Sequence, residues 1–170
     1  MRVMRKLLLS SALFLALVAA GPAAAGPLQA GIAAYKVGDY PRAARLLLPL
    51  AQHGNARAQT YVGLMFTNGR GLPQNYVAAA DWYRAASEQG VPLAQFNLGL
   101  AYDKGHGVPQ DYVLAYKWLN IATAQATPLE RDYWVRIRDA VGTKLSLIQR
   151  TAGQDLASEW FHARRPPGIQ

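Results

Sequence analysis

Apolar residues recur along this chain with a helical period, and that period is itself repeated. Two stretches, residues 54–89 and 90–125, lie over each other at an offset of 36 residues without a gap and share 15 identical positions. In the first stretch Ala58, Tyr61, Val62, Met65 and Phe66 fall on one helical face, the stripe of a half-buried helix. The spacing predicts a helix over 56–67. Positions 68–74 read NGRGLPQ. Two glycines that permit positive φ and a proline that restrains its predecessor make this a loop. Asn75 is a natural N-cap for a second helix over 76–88, with Tyr76, Ala79, Ala80, Trp82, Tyr83 and Ala86 facing its neighbours. The second stretch repeats the design: a helix over 92–103, the loop KGHGVPQ, a cap at Asp111 and a helix over 112–124. Helix pairs at a fixed period bury their apolar faces only by stacking on one another. The expected fold is all-α, a solenoid of about four antiparallel helix pairs.

The same register extends to both sides. Residues 27–37 are apolar and helical in tendency, Val37-Gly38-Asp39 breaks them, and 40–53 carries Ala43, Leu46, Leu47 and Leu50 at helical spacing. Tyr40, Ala43 and Leu46 lie 36 residues before Tyr76, Ala79 and Trp82, so 27–53 reads as a degenerate first pair. After Gln125 the repeat stops. Thr127-Pro128-Leu129-Glu130 and Ser146-Leu147-Ile148-Gln149 are capping-box patterns, each opening a helix. The first carries Trp134, Ile137 and Val141; the second, to about 164, carries Ile148, Leu156, Trp160 and Phe161. As a pair over 127–164 they are expected to close the stack within a solenoid of 26–165. A polar, proline-containing tail over 166–170 is expected to be disordered.

Gly63 and Gly99 sit mid-helix, where glycine costs about 1 kcal/mol against alanine. Their repetition predicts close approach of a neighbouring helix backbone, with Ala79, Ala86, Ala115 and Ala122 opposite. Tyr76, Trp82, Tyr112 and Trp118 are expected to fill the space between pairs.

Residues 1–25 stand outside this pattern. Arg2, Arg5 and Lys6 precede an uncharged apolar run over 7–20, and Ala23-Ala24-Ala25 follows. That is the layout of a secretory signal peptide cleaved between Ala25 and Gly26; the run is short of the ~20 residues that span a bilayer. The expected location is periplasmic or secreted, with no membrane anchor after cleavage. The formal charge is +8, and without the three leading cations 15 basic residues face 10 acidic ones. The charges are scattered, with no basic stripe interleaved with aromatics, so nucleic acid is not an expected partner. There is no cysteine, hence no disulfide framework, thiolate metal site or thiol nucleophile.

The pattern A-Q-x-x-x-G-L-x-x-x-x-G-x-G-x-P-Q-[ND]-Y-x-x-A-x-x-W, present twice, resembles the Sel-1-like repeat family, a branch of α-solenoids related to tetratricopeptide repeats. The resemblance implies a right-handed superhelix and a scaffold role, holding a protein or peptide partner on a concave face lined by the first helix of each pair. It also implies that Asn97, before Leu98-Gly99, meets an extended peptide backbone; the first repeat has Tyr61 there. By helical spacing the candidate partner-binding residues are Arg57, Thr60, Tyr61, Phe96, Asn97, Asp103 and Lys104, with Leu64 and Leu100 between them.

Chemistry-bearing patterns are sparse. Ser87, Ser146 and Ser158 lie in neither G-x-S-x-G nor S-x-x-K. His53, His106 and His162 lack a metal-ligand spacing, and His106, in place of Arg70 of the first repeat, reads as a solvated loop residue. No catalytic residue, metal or cofactor is assigned, and the chain reads as a non-enzymatic scaffold. Two alternatives are an envelope component binding peptidoglycan or a glycan through Tyr61, Phe96 and Tyr102, and a cell-wall hydrolase with a hidden site.

Overall fold

A computed structural model describes residues 26–164; the expected signal peptide and the tail lie outside the described residues. Among them are eight helices and no strand: α1 Pro27–Lys36, α2 Tyr40–Gln52, α3 Ala56–Asn68, α4 Tyr76–Glu88, α5 Pro92–Lys104, α6 Tyr112–Ala124, α7 Pro128–Gly142 and α8 Leu147–His162. The helix starts follow the caps read from the sequence. The Asn75 side chain accepts the Ala78 N–H at 3.0 Å. Asp111 accepts from Val113 and Leu114, both at 2.9 Å. Ser146 and Gln149 close a reciprocal box, Ser146 N–H to Gln149 at 2.9 Å and Gln149 N–H to Ser146 at 3.3 Å. Such caps satisfy N–H groups that have no partner inside the helix.

Helices pack as consecutive pairs, α1 on α2, α3 on α4 and α5 on α6, and each pair stacks on the next through α2–α3, α4–α5 and α6–α7. Two devices repeat with the sequence. The first is a buried glutamine bridge. Gln59 donates to the Ala51 carbonyl at the end of α2 (3.2 Å) and accepts from Gln89 (2.8 Å). Gln95 donates to the Ser87 carbonyl at the end of α4 (3.2 Å) and accepts from Gln125 (2.9 Å). Carbonyls in the last turn of a helix have no intrahelical partner; these two accept a turn N–H, from Gly54 and Gly90, and the glutamines add a second bond from the next pair.

The second device is the glycine loop. Gly107 has φ +75°, and a Cβ there would run into the Tyr76 carbonyl at the start of α4. Only glycine allows the loop of one pair to rest on the preceding pair in this way. The residue before it then covers the tyrosine. Arg70 lies over Tyr40 (5.4 Å), and His106 stacks on Tyr76 (4.3 Å, 26° between planes). Lys144, between α7 and α8, lies over Tyr112 at 4.8 Å. His106 is therefore a packing residue, not the freely solvated one expected.

Three expectations change. At Gly63 the atoms nearest a Cβ are those of the Tyr83 ring, 2.6 Å away, whereas at Gly99 it would lie 2.8 Å from Leu119 and 3.2 Å from the Ala115 carbonyl. The side chain five residues before the helix end takes the space in both repeats, and only at Gly99 does the neighbouring backbone come as close as expected. The last two helices do not pair. Arg150 donates to the Gly142 carbonyl at their turn (2.8 Å), but α7 packs against α6, and so does α8. Trp134 of α7 stacks on Phe96 (4.8 Å, 13°). Trp160 of α8 meets Trp118 edge-on (6.3 Å), and Arg164 reaches Glu88 at the end of α4. Finally, Ile148 points outward, 82% exposed, because α7 is not beside α8 to cover it.

Candidate functional site

On α3 the side chains left partly open along one face are Arg57, Tyr61, Leu64 and Asn68; on α5 they are Leu93, Asn97, Leu100 and Lys104. The two rows correspond one to one at the repeat offset, and each follows the helical spacing that keeps residues on one face. Beside the α5 row lies a cleft of about 80 Å³, to which α3 contributes Thr67. Its floor is Ala79, Ala80 and Tyr83 of α4 with Ala101; Asn97, Leu100 and Lys104 form one side, and the stacked Tyr76 and His106 close the loop edge.

The polar groups of this cleft are specific. The Tyr83 hydroxyl shares a 2.9 Å hydrogen bond with Thr67. Burial pushes its pKa well above the ordinary tyrosine value, opposed by the Thr67 hydrogen bond, so it is a neutral hydroxyl. The Asn97 amide donates to the Leu93 carbonyl of its own helix (2.7 Å), which leaves its oxygen for an outside donor. Lys104 is exposed and makes no ion pair among the described residues. The cleft therefore offers an apolar floor, an acceptor and a cation.

The remaining sequence candidates divide. Arg57 is exposed at the start of the α3 row. Tyr61 is half-buried, edge-on to Tyr35 at 5.2 Å, and burial raises its hydroxyl pKa. Thr60 is buried, its hydroxyl donating to the Ala56 carbonyl (2.9 Å). Phe96 is buried between α5 and α7. Neither Thr60 nor Phe96 can contact a partner; both point sideways toward the neighbouring helix, a direction the spacing does not separate from the open face. The same burial removes Phe96 from the glycan-contact alternative. Asp103 is held by Lys144 at 2.6 Å and is mostly covered. Thr67, Tyr76, Tyr83 and His106 were missed because the identity of Tyr76 and Tyr112 reads as packing alone. Among the described residues no group of three or more His, Asp or Glu side chains could hold a metal ion, and no helix is long and apolar enough to cross a membrane.

Comparison with known proteins bears on this geometry. The Sel1 repeat family matches residues 56–91 and 92–126. A crystal structure of a protective antigen present in uropathogenic Escherichia coli strains, displaying an SLR fold, is similar over 80% of this chain at 27% identity and TM-score 0.73. A Sel1 repeat protein from Oxalobacter formigenes is similar over 80% of this chain at 32% identity and TM-score 0.60. The chain spans 29% of the first structure's length and 55% of the second's. No curated protein matches it significantly. Sel1 repeat proteins generally act as protein-interaction scaffolds. With two matched repeats, stacked helix pairs and two neighbours of the same fold, this protein is a Sel1-like repeat α-solenoid.

Proposed function

We propose that this protein is an exported, non-enzymatic scaffold that holds an extended segment of a partner protein across the α3 and α5 rows, at the cleft beside the α5 row. The observation that carries the reading is the cleft itself: Asn97 presents an amide oxygen and Lys104 an unpaired charge over a floor of small apolar side chains. The buried glutamines and glycine loops support it by making the frame rigid without using these side chains. Export rests on the basic, apolar and small-residue succession of residues 1–25. The test is in-cell crosslinking with the wild type beside an Asn97→Ala, Lys104→Glu variant. A protein captured by the wild type and lost by the folded variant supports the site; equal capture by both moves the site elsewhere. Mass spectrometry of the protein from fractionated cells checks export: a chain beginning at Gly26 in the exported fraction is expected, and an intact chain kept inside the cell would refute it.

A further inference from the structure

The charge of this protein is unevenly placed. Residues 26–80 carry five basic side chains and one acidic one, while residues 81–164 carry nine of each. Pairing follows the same division. Arg84, Arg138, Lys144 and Arg164 each hold a carboxylate within 2.7 Å; Lys36, Arg42, Arg45, Arg57 and Arg70 hold none among the described residues.

Three of these cations share one edge. Lys36 ends α1, Arg42 opens α2, and Arg70 reaches back over Tyr40. Asp39, the acidic residue among them, accepts the Arg42 N–H at 3.2 Å as the N-cap of α2. At the apex of the same turn Val37 is 81% exposed. The corresponding edges farther along differ: His106 takes the place of Arg70, and Lys144 is neutralised by Asp103.

We infer that this α1–α2 edge is a contact for an anionic lipid surface. Clustered cations near an anionic leaflet each contribute to attraction, and an exposed aliphatic tip beside a tyrosine suits the interface between headgroups and acyl chains. The shape favours lipid over an acidic peptide: the patch is a protruding turn with its apolar residue at the apex, whereas a peptide needs a cleft such as that beside α5. The contact lies along the same loop edge as the cleft, at the first pair of the stack rather than at α4 and α5.

The test is cosedimentation of the purified protein with vesicles of phosphatidylglycerol and phosphatidylethanolamine, beside vesicles of phosphatidylcholine alone. Binding to the anionic vesicles at low salt, its release by about 1 M salt and none to the neutral ones are expected. Replacing Lys36, Arg42 and Arg70 by glutamine should lower partitioning about a hundredfold, roughly fivefold for each charge, with the helical circular dichroism unchanged. A control with Arg131→Gln, Arg136→Gln and Arg138→Gln removes the same charge from α7 and should change partitioning only a few-fold. Val37→Asp tests the apolar tip and should weaken binding several-fold. Equal loss in the patch and control triples would reduce the effect to net charge and overturn the assignment. So would equal binding to neutral vesicles, or retention on a poly-glutamate resin with none on vesicles.

Discussion

The two complete repeats share a frame and differ in what they mount on it. Both have the glutamine bridge, the capped second helix and the glycine loop resting on the previous tyrosine. Yet at equivalent positions Thr60 bonds to its own helix while Phe96 anchors α7. Tyr83 holds Thr67 through a hydroxyl where Leu119 only fills volume over Gly99. Tyr61 leans on Tyr35, whereas Asn97 keeps an open amide oxygen. The identical positions are those whose geometry every pair must reproduce. The variable positions are those whose neighbour differs, either because it is solvent or because it is the end of the stack.

The largest test of that contrast is at the Thr60 and Phe96 register. Phe96→Ala should destabilise by about 3–5 kcal/mol, the range for a buried aromatic truncated to alanine. Thr60→Ala removes one local hydrogen bond and should cost about 1 kcal/mol. Equal shifts in denaturant midpoint would mean that α7 is not anchored through the second repeat.

At the shared loop the two repeats should behave alike. Gly107→Ala and Gly71→Ala each force a side chain into positive φ and against a carbonyl of the preceding pair, a combined cost of about 3 kcal/mol. Thermal unfolding decides it; a neutral Gly107→Ala would show that the loop does not set the stacking distance.

Next is the buried bridge. Gln95 is fully buried and Gln59 nearly so, and removing either loses two hydrogen bonds between helices, one to a helix-end carbonyl and one from a glutamine at the end of the next helix. About 2 kcal/mol is expected for Gln95→Ala and for Gln59→Ala alike. A clear difference between the two would break the claim that the frame is common.

The smallest effect near neutral pH separates Tyr83 from Leu119. Tyr83→Phe gives up the Thr67 hydrogen bond, about 1 kcal/mol. Burial raises the folded-state pKa of Tyr83. Its contribution is therefore fully present below the unfolded value of about 10 and is lost as pH rises above it. Stability measured from pH 8 to 11 should fall more steeply for the wild type than for Tyr83→Phe. Parallel curves would place the hydroxyl in water.

Much of the fold was legible in the order of residues. Asn75, Asp111 and Ser146 act within four residues of themselves, so their caps and the helix starts they set need no tertiary information. The repeat of 36 residues implied stacking because a single helix pair cannot bury its own apolar face. The candidate rows were half legible: Asn97 and Lys104, named from helical spacing, do lie open at the cleft, but Thr60 and Phe96, named by the same spacing, are buried.

What tertiary structure alone decided were distances between residues far apart in the chain. It turned Tyr76 and His106 into one wall of a cleft, put the Tyr83 ring over Gly63, and separated α7 from α8. Local sequence determines how each helix begins, which face is apolar and where the chain turns, because those follow from bonds and torsions within a few residues. Which apolar face meets which neighbour depends on shape fitted across whole helices, and in this protein that fit decides which side chains are left open at the surface.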